Sequence, residues 1–393
     1  MSDVFLFDID GVLIQAHGYL RALQDTVAYF SQQLGVGEHP PTEAEVRAFE
    51  ANGLTSEWDS APMCIAALLI ERLRRDPNLP LPARWPDALD ALHRQPMPLP
   101  HPDYAAMAVQ VRARLDSQAE IAHVARSVLW AQAPTLAAPQ HTALRALLDT
   151  LLGNTYTFAQ APIMRHFQHL TIGSQAVAQT YGVAPAFESP AYLQTYDIAL
   201  LTLETHQKLR NALASGRIGA SLYTARPSLP PAKVETSLLG YSPEAELAQA
   251  MVGLEDLPLI GFGRLVWLAQ QHGEKAGRLV KPSPVQALAA IGAAYSGQEI
   301  AALEAAFALY SNGELRPPLA NLGPTTVHVF EDTPTGLLAV QRAVMALQEA
   351  GLAIDWRAYG IASAEDAKAQ AIAAQGMAVY PSINEALKHA FQH

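Results

Sequence analysis

Near the start of the chain four apolar residues, Val4 to Phe7, run straight into two carboxylates, Asp8 and Asp10, with one apolar residue between them. Such a run reads as a buried strand. Gly11 comes next and signals a tight turn that takes the backbone out of the sheet. The pattern then changes to helical spacing for about two hundred residues. Between His17 and Leu34 the apolar positions Leu20, Leu23, Val27, Phe30 and Leu34 form one face of a helix. Thr42 stands three residues before Glu45, a capping box that opens a helix to about Glu50. Asn52 to Thr55 is a turn, and Met63 to Leu73 is a further amphipathic helix. Prolines recur from Asp76 to Pro102, which predicts an extended connection. Helices are predicted again over Tyr104 to Leu129, His141 to Leu152 and Ser189 to Ser215.

Strand-like text returns at Ile218 to Tyr223 and ends in Thr224-Ala225-Arg226-Pro227. A helix from Pro243 to Met251, a mixed stretch from Leu259 to Gln271, a short segment from Leu279 to Pro284 and helices over Val285 to Tyr295 and Gln298 to Tyr310 follow. Thr326 to Phe330 is a strand that runs into Glu331-Asp332-Thr333-Pro334-Thr335-Gly336, with a helix over Leu337 to Ala350 behind it. The chain then offers a strand over Ile354 to Ile361, a helix from Ala364 to Gln375, a short strand at Met377 to Tyr380 and a terminal helix. Strands that alternate with helices of this length predict a parallel sheet covered on both faces. Residues 14–216 are too long for a loop and are expected to form a helical domain of their own, leaving 1–13 and 217–393 as a discontinuous core. A length of 393 residues agrees with two domains.

Reactive polar residues gather where the pattern marks strand ends: Asp8 and Asp10, Thr224, Lys281, and Glu331 with Asp332. In a parallel sheet those ends share one edge, where ligands bind. The carboxylates of Asp8 and Asp332, with the carbonyl oxygen of Asp10, would make a hard oxygen site suited to Mg²⁺. Thr224 would donate a hydroxyl bond to a phosphoryl oxygen, and Lys281 would bring a positive charge to the same oxygens and to Asp8. Asp8 would attack phosphorus to give an aspartyl phosphate. Asp10 would protonate the departing alkoxide and then take a proton from the hydrolysing water.

These pieces resemble the haloacid dehalogenase-like (HAD) hydrolase superfamily, in its phosphatase branch with a helical cap of the first insertion type. Asp8-Ile9-Asp10-Gly11-Val12-Leu13 is similar to the family's first motif, with Asp8 at the nucleophile and Asp10 at the acid/base position. Thr224 matches the second motif, Lys281 in Lys281-Pro282-Ser283-Pro284 the third, and Glu331-Asp332 in Phe330 to Gly336 the acidic, metal-binding fourth. The resemblance implies a Rossmann-like parallel sheet core with a large, mostly α-helical cap domain. It further implies a Mg²⁺-dependent phosphatase acting on a small phosphorylated metabolite such as a sugar, polyol or acid phosphate, with Asp8, Asp10, Glu331 and Asp332 around the ion. The insertion over 14–216 is long for that family. A sugar phosphomutase would use the same residues, and a protein that only binds a phosphorylated ligand is the non-enzymatic alternative. A dehalogenase needs no Mg²⁺ and usually lacks a carboxylate at the position of Asp10.

Composition narrows the field of partners. A formal charge of −11, from 37 acidic and 26 basic residues, argues against nucleic-acid and anionic-membrane surfaces. No stretch of the sequence reaches the length of an apolar membrane span, the start lacks the pattern of a secretory signal, and the single Cys64 has no disulfide partner. A cytoplasmic protein with a buried structural thiol is expected. Within the helical segment, Glu57 and Trp58 beside the Asn52 turn are candidate substrate contacts, with burial of Trp58 in the core as the competing reading. Arg165, His166 and His169 are candidates for holding an anionic group, although satisfied histidines are the commoner outcome, and none has zinc-site spacing.

Overall fold

The computed structural model describes residues 3–116, 119–363 and 367–392. It contains two compact units, Met1–Ala16 with Asp197–His393, and His17–Tyr196. The chain opens with β1 (Asp3–Phe7) and a short β2 (Ile14–Gln15). It then builds the helical unit from α1 (Gly18–Gln33), α2 (Glu43–Ala51), α3 (Glu57–Arg75), α4 (Trp85–His93), α5 (Tyr104–Arg112), α6 (Ile121–Ala131), α7 (Ala138–Leu152), α8 (Pro162–Tyr181) and α9 (Tyr192–Tyr196). The rest of the first unit follows as β3 (Ile198–Ala199), α10 (Leu203–Ala214), β4 (Ile218–Tyr223), α11 (Glu244–Met251), β5 (Leu259–Ile260) and α12 (Phe262–His272). Next come α13 (Pro284–Ser296), α14 (Glu299–Asn312), β6 (Thr325–Glu331), α15 (Pro334–Glu349), β7 (Ile354–Ile361), α16 (Ala367–Ala373), β8 (Ala378–Tyr380) and α17 (Ile383–Ala390).

The architecture is α/β, with a six-stranded sheet in the order β5-β4-β1-β6-β7-β8 and every neighbouring pair parallel. β1 is buried because its neighbours in sequence face opposite ways. Val4 and Leu6 join the apolar cluster of α13 and α15, whereas Phe5 and Phe7 join that of α10, α11 and α17. Helices therefore cover both faces, as continuous apolar strands require. Against the sheet, α13 is buried from Val285 to Ala294; its alanines let helix and strands approach closely, while Gly292 faces Ala302 of α14. β2 and β3 pair antiparallel in a separate two-stranded ribbon. Among the described residues no helix is long and apolar enough to cross a membrane.

Several elements differ from the pattern reading, each for a physical reason. The proline-rich stretch contains α4, because Pro86 falls in the first turn, where a missing N–H costs nothing. Tyr104 to Leu129 is two helices. The Asp116 carboxylate accepts from the Ala119 amide at 2.8 Å, a local bond that competes with helix continuation. Ser189 to Ser215 breaks into α9, β3 and α10, since Ile198 and Ala199 pair with β2 and α10 packs Leu209 and Ala212 on the sheet. α8 carries no clear signal in the sequence; Gly173, at φ +80°, kinks it beneath Pro190 and Ala191. The helix expected from Ala364 is described only from Ala367, its first residues lying outside the described ones.

Candidate active site

Register decides what meets at the sheet edge. Phe7 lies opposite Leu222 on β4 and Phe330 on β6, so the residues just beyond them leave the sheet side by side. Asp8 is still tied in, its amide donating to the Phe330 carbonyl at 3.0 Å. Past it the chain turns, with the amides of Leu13 and Ile14 both reaching back to the Ile9 carbonyl. Gly11 is required twice over: its φ is +72°, and a Cβ there would lie 2.4 Å from Asp332 Oδ2. Gly336 meets the same demand, since a Cβ would lie 1.9 Å from Glu331 Oε2.

Asp8, Glu331 and Asp332 form the only cluster of its kind found among the described residues, with one carboxylate oxygen of each within 4.8 Å of the others. Lys281 Nζ lies 3.0 Å from Asp8 Oδ2, 2.7 Å from Glu331 Oε2 and 4.0 Å from the centre of the Tyr223 ring. The sequence reading puts Lys281 at a strand end. It stands instead in the turn between a short 3-10 helix, Ala276–Arg278, and α13, and the apolar text before it is a core plug, with Leu279 fully buried. Glu331 is saturated. Oε2 accepts from Lys281 and from the Tyr223 hydroxyl at 2.8 Å, while Oε1 accepts from the Thr333 hydroxyl at 2.8 Å and amide at 3.2 Å. Asp332 Oδ2 accepts from the Lys368 ammonium.

Burial sets the electrostatics of this group. It pushes the Asp8 carboxyl well above the usual range, and the charge of Glu331 adds to the rise against the pull of Lys281. Asp332 is raised to about 6, again by burial first and Glu331 second, with Lys368 opposing. For Glu331 burial also works upward, but Lys281 and the hydrogen bonds outweigh it and the group ends below its ordinary value. Lys281 ends above its ordinary value, because its two acidic partners overcome the cost of burying the ammonium.

Asp10 is turned to other company. Arg226 Nε reaches its two oxygens at 3.0 and 2.8 Å, and Nη2 reaches Oδ1 at 2.5 Å. The same Nη2 lies 3.0 Å from Asp197 Oδ2, whose side chain is fully buried. Thr224, buried one residue past β4, accepts the Arg226 amide on Oγ1 at 3.1 Å, which leaves its hydroxyl proton to point elsewhere. The buried Gln286 of α13 stitches these pieces together. Its Nε2 donates to the Thr224 and Ile260 carbonyls, both at 2.8 Å, and its Oε1 accepts the Lys281 amide at 3.3 Å.

Four of the sequence candidates, Asp8, Lys281, Glu331 and Asp332, thus share one cluster, while the Asp10 carboxylate pairs with Arg226 and Thr224 stands on the neighbouring strand end. Arg226, Asp197, Gln286, Tyr223 and Lys368 are additions from the structure. Arg226 had a signal, its place two residues after Thr224; Asp197 and Lys368 had none. In the helical unit, Trp58 is buried and packs on Tyr156 with ring centres 5.5 Å apart, at the start of α3 where Glu57 also lies. His166 stacks on Tyr29 with ring centres 4.5 Å apart, and His169 Nε2 is 3.0 Å from Ser174 Oγ; Arg165 lies beside them on α8.

The donor chemistry fits a hard divalent cation. Five carboxylates, from Asp8, Asp10, Asp197, Glu331 and Asp332, face three cationic side chains, Lys281, Arg226 and Lys368. The excess is two negative charges, the candidate ligands are all oxygen, and no Cys or His stands in the cluster.

No family model and no curated protein matches the sequence. Among solved structures, the X-ray structure of Northeast Structural Genomics Consortium target ZR25 is similar over 100% of this chain and 98% of that one, with a TM-score of 0.64 and 14% identity. Phosphatase Tt82 from Thermococcus thioreducens also has 14% identity, over 95% of this chain and 99% of that one, with a TM-score of 0.41. The likeness to ZR25 is one of fold, extending over nearly the whole of both chains.

Proposed function

We propose that this protein is a HAD-like, Mg²⁺-dependent phosphatase that hydrolyses a small organic phosphate monoester through an aspartyl phosphate on Asp8. One observation carries the reading: a buried carboxylate at the end of the central strand, crowded by two more acids and backed by a lysine at 3.0 Å. When bound, the divalent ion offsets charge on the phosphoryl group and on the attacking carboxylate. Asp8 and Asp332, with the Asp10 carbonyl, are the residues proposed to hold it. Glu331 supports that set indirectly, since four donors already occupy its oxygens.

The side chains divide the work. An Asp8 oxygen bonds to phosphorus as the bond from phosphorus to the ester oxygen breaks, and the leaving alkoxide takes its proton from the Asp10 carboxyl. Water then attacks the aspartyl phosphate and gives a proton to Asp10; inorganic phosphate leaves and the Asp8 carboxylate is restored. To reach either oxygen, the Asp10 side chain must turn out of its pair with Arg226. Lys281, locked by Glu331 and the Tyr223 ring, spreads positive charge over Asp8 and the transferring oxygens. Thr224 donates its hydroxyl to a phosphoryl oxygen. The helical unit interrupts the chain between β2 and β3, the sequence position of a first-type cap, and is proposed to recognise the leaving group.

A panel of phosphorylated metabolites, assayed for phosphate release with Mg²⁺ and with a chelator, tests the activity. Release from at least one monoester, dependent on Mg²⁺ and absent in Asp8→Asn, is expected. Undiminished release by Asp8→Asn sinks the covalent route.

A further inference from the structure

The two lysines that touch the acidic cluster are held very differently. Lys281 has only 9% of its side chain exposed, two carboxylate partners and an aromatic ring beneath its ammonium. Lys368, at the start of α16, has 51% of its side chain exposed and reaches in along a flexible stem to Asp332. The oxygen it holds is Oδ2, the one that faces the Asp8–Gly11 turn, where only the missing Cβ of Gly11 makes room for it. That is the side of Asp332 from which a cation shared with Asp8 would be bound.

We propose that Lys368 is a place-holding cation: its ammonium neutralises Asp332 until a divalent ion displaces it, so that Lys368 sets how tightly the site takes metal. The inference rests on the metal reading given under Proposed function. Asp332 sits beside two other buried acids, so an unneutralised carboxylate there is costly. A half-exposed lysine can supply the missing charge and withdraw into water at small cost. The consequence is a competition for one oxygen. Removing the ammonium leaves the Mg²⁺ ligands untouched and takes away their competitor at Asp332.

The test is Mg²⁺ titration by calorimetry on the full chain, with no substrate present, for the wild type, Lys368→Met, Lys368→Arg and Asp332→Asn. Met keeps the stem without the charge and is expected to bind Mg²⁺ about three- to fivefold more tightly, the value of one half-exposed ion pair. Arg keeps the charge and is expected to stay close to the wild type. The upshift in thermal midpoint at a fixed Mg²⁺ concentration should follow the same order. Equal or weaker binding by Lys368→Met, beside a wild type that binds, overturns the exchange and leaves the metal reading standing. Equal tightening by Lys368→Arg and Lys368→Met also overturns it, because charge would then not be the cause. Absence of Mg²⁺ binding in the wild type, with Asp332→Asn no different, overturns both.

Discussion

Each unit of the molecule buries an aspartate, and the two are kept for different reasons. Asp59 in the helical unit accepts from the Thr155 hydroxyl at 2.7 Å and the Tyr156 hydroxyl at 2.6 Å. Burial raises its pKa, and those two neutral donors work against the rise. Asp8 in the sheet unit is also raised by burial, but its next influence is another carboxylate, and a lysine opposes. A buried acid with hydroxyl donors is a fastener; a buried acid among acids is an expense that a bound cation can offset. Depth alone does not separate them, whereas the company each keeps does.

The contrast is most open to attack by removing each carboxylate in turn. Asp8→Asn should cost at least about 10³-fold in turnover while raising the thermal midpoint of the metal-free protein, since it relieves like-charge crowding. Asp59→Ala should do the reverse, losing about 1–3 kcal/mol of stability by stranding two donors, with Mg²⁺ affinity unchanged. Unfolding curves with and without Mg²⁺ check both, and a destabilised Asp8→Asn would erase the distinction.

Next in size is Gly336→Ala. Its Cβ would overlap Glu331 Oε2, so Glu331 must give up Lys281 and Tyr223 or α15 must shift. A loss of about 2 kcal/mol or more and of most turnover is expected. A variant with wild-type stability and rate would mean that Glu331 does not need its present seat.

A pH series sharpens the picture further. Asp332 is raised from 3.8 to about 6, so it contributes stability below pH 4 that is lost as pH rises through about 6. His166 and His328, both lowered to about 4 by burial, act in the opposite sense, gaining stability as pH rises towards 6.5. Subtraction removes them. The stability of the metal-free wild type relative to Asp332→Asn should fall by roughly 2 kcal/mol between pH 4 and 7, and Mg²⁺ should cancel the fall. A flat difference would mean that Asp332 is not crowded. The smallest effect is expected from His166→Ala, which loses a stack on Tyr29 worth about 1 kcal/mol and should leave Mg²⁺ binding alone.

How far the pattern could be read depended on whether an interaction was local. The capping box at Thr42 and Glu45 is present as expected, because both partners lie within one turn. β7 runs from Ile354 to Ile361 as read, being a branched and aromatic stretch between turn signals. Pro86 misled because a proline breaks a helix interior and opens a first turn equally well. Leu279 and Val280 misled because a short apolar run fits a strand or a plug alike.

By itself the sequence determined the α/β alternation, the helical interruption and the identity of the acids at the edge, since periodicity and side-chain type are properties of neighbours along the chain. It could not say that Arg226 would grip Asp10 and Asp197 together, that Gln286 would join Thr224 to Lys281, or that Lys368 would reach Asp332. The bonds from Arg226 to Asp10 and Asp197, from Gln286 to Thr224 and from Lys368 to Asp332 span 29 to 216 positions, and the short Lys281–Gln286 bond, five positions apart, matters only through the longer one that Gln286 makes. Only the packing of helices on a parallel sheet brings groups so distant within hydrogen-bond range, where charge and burial begin to act on one another.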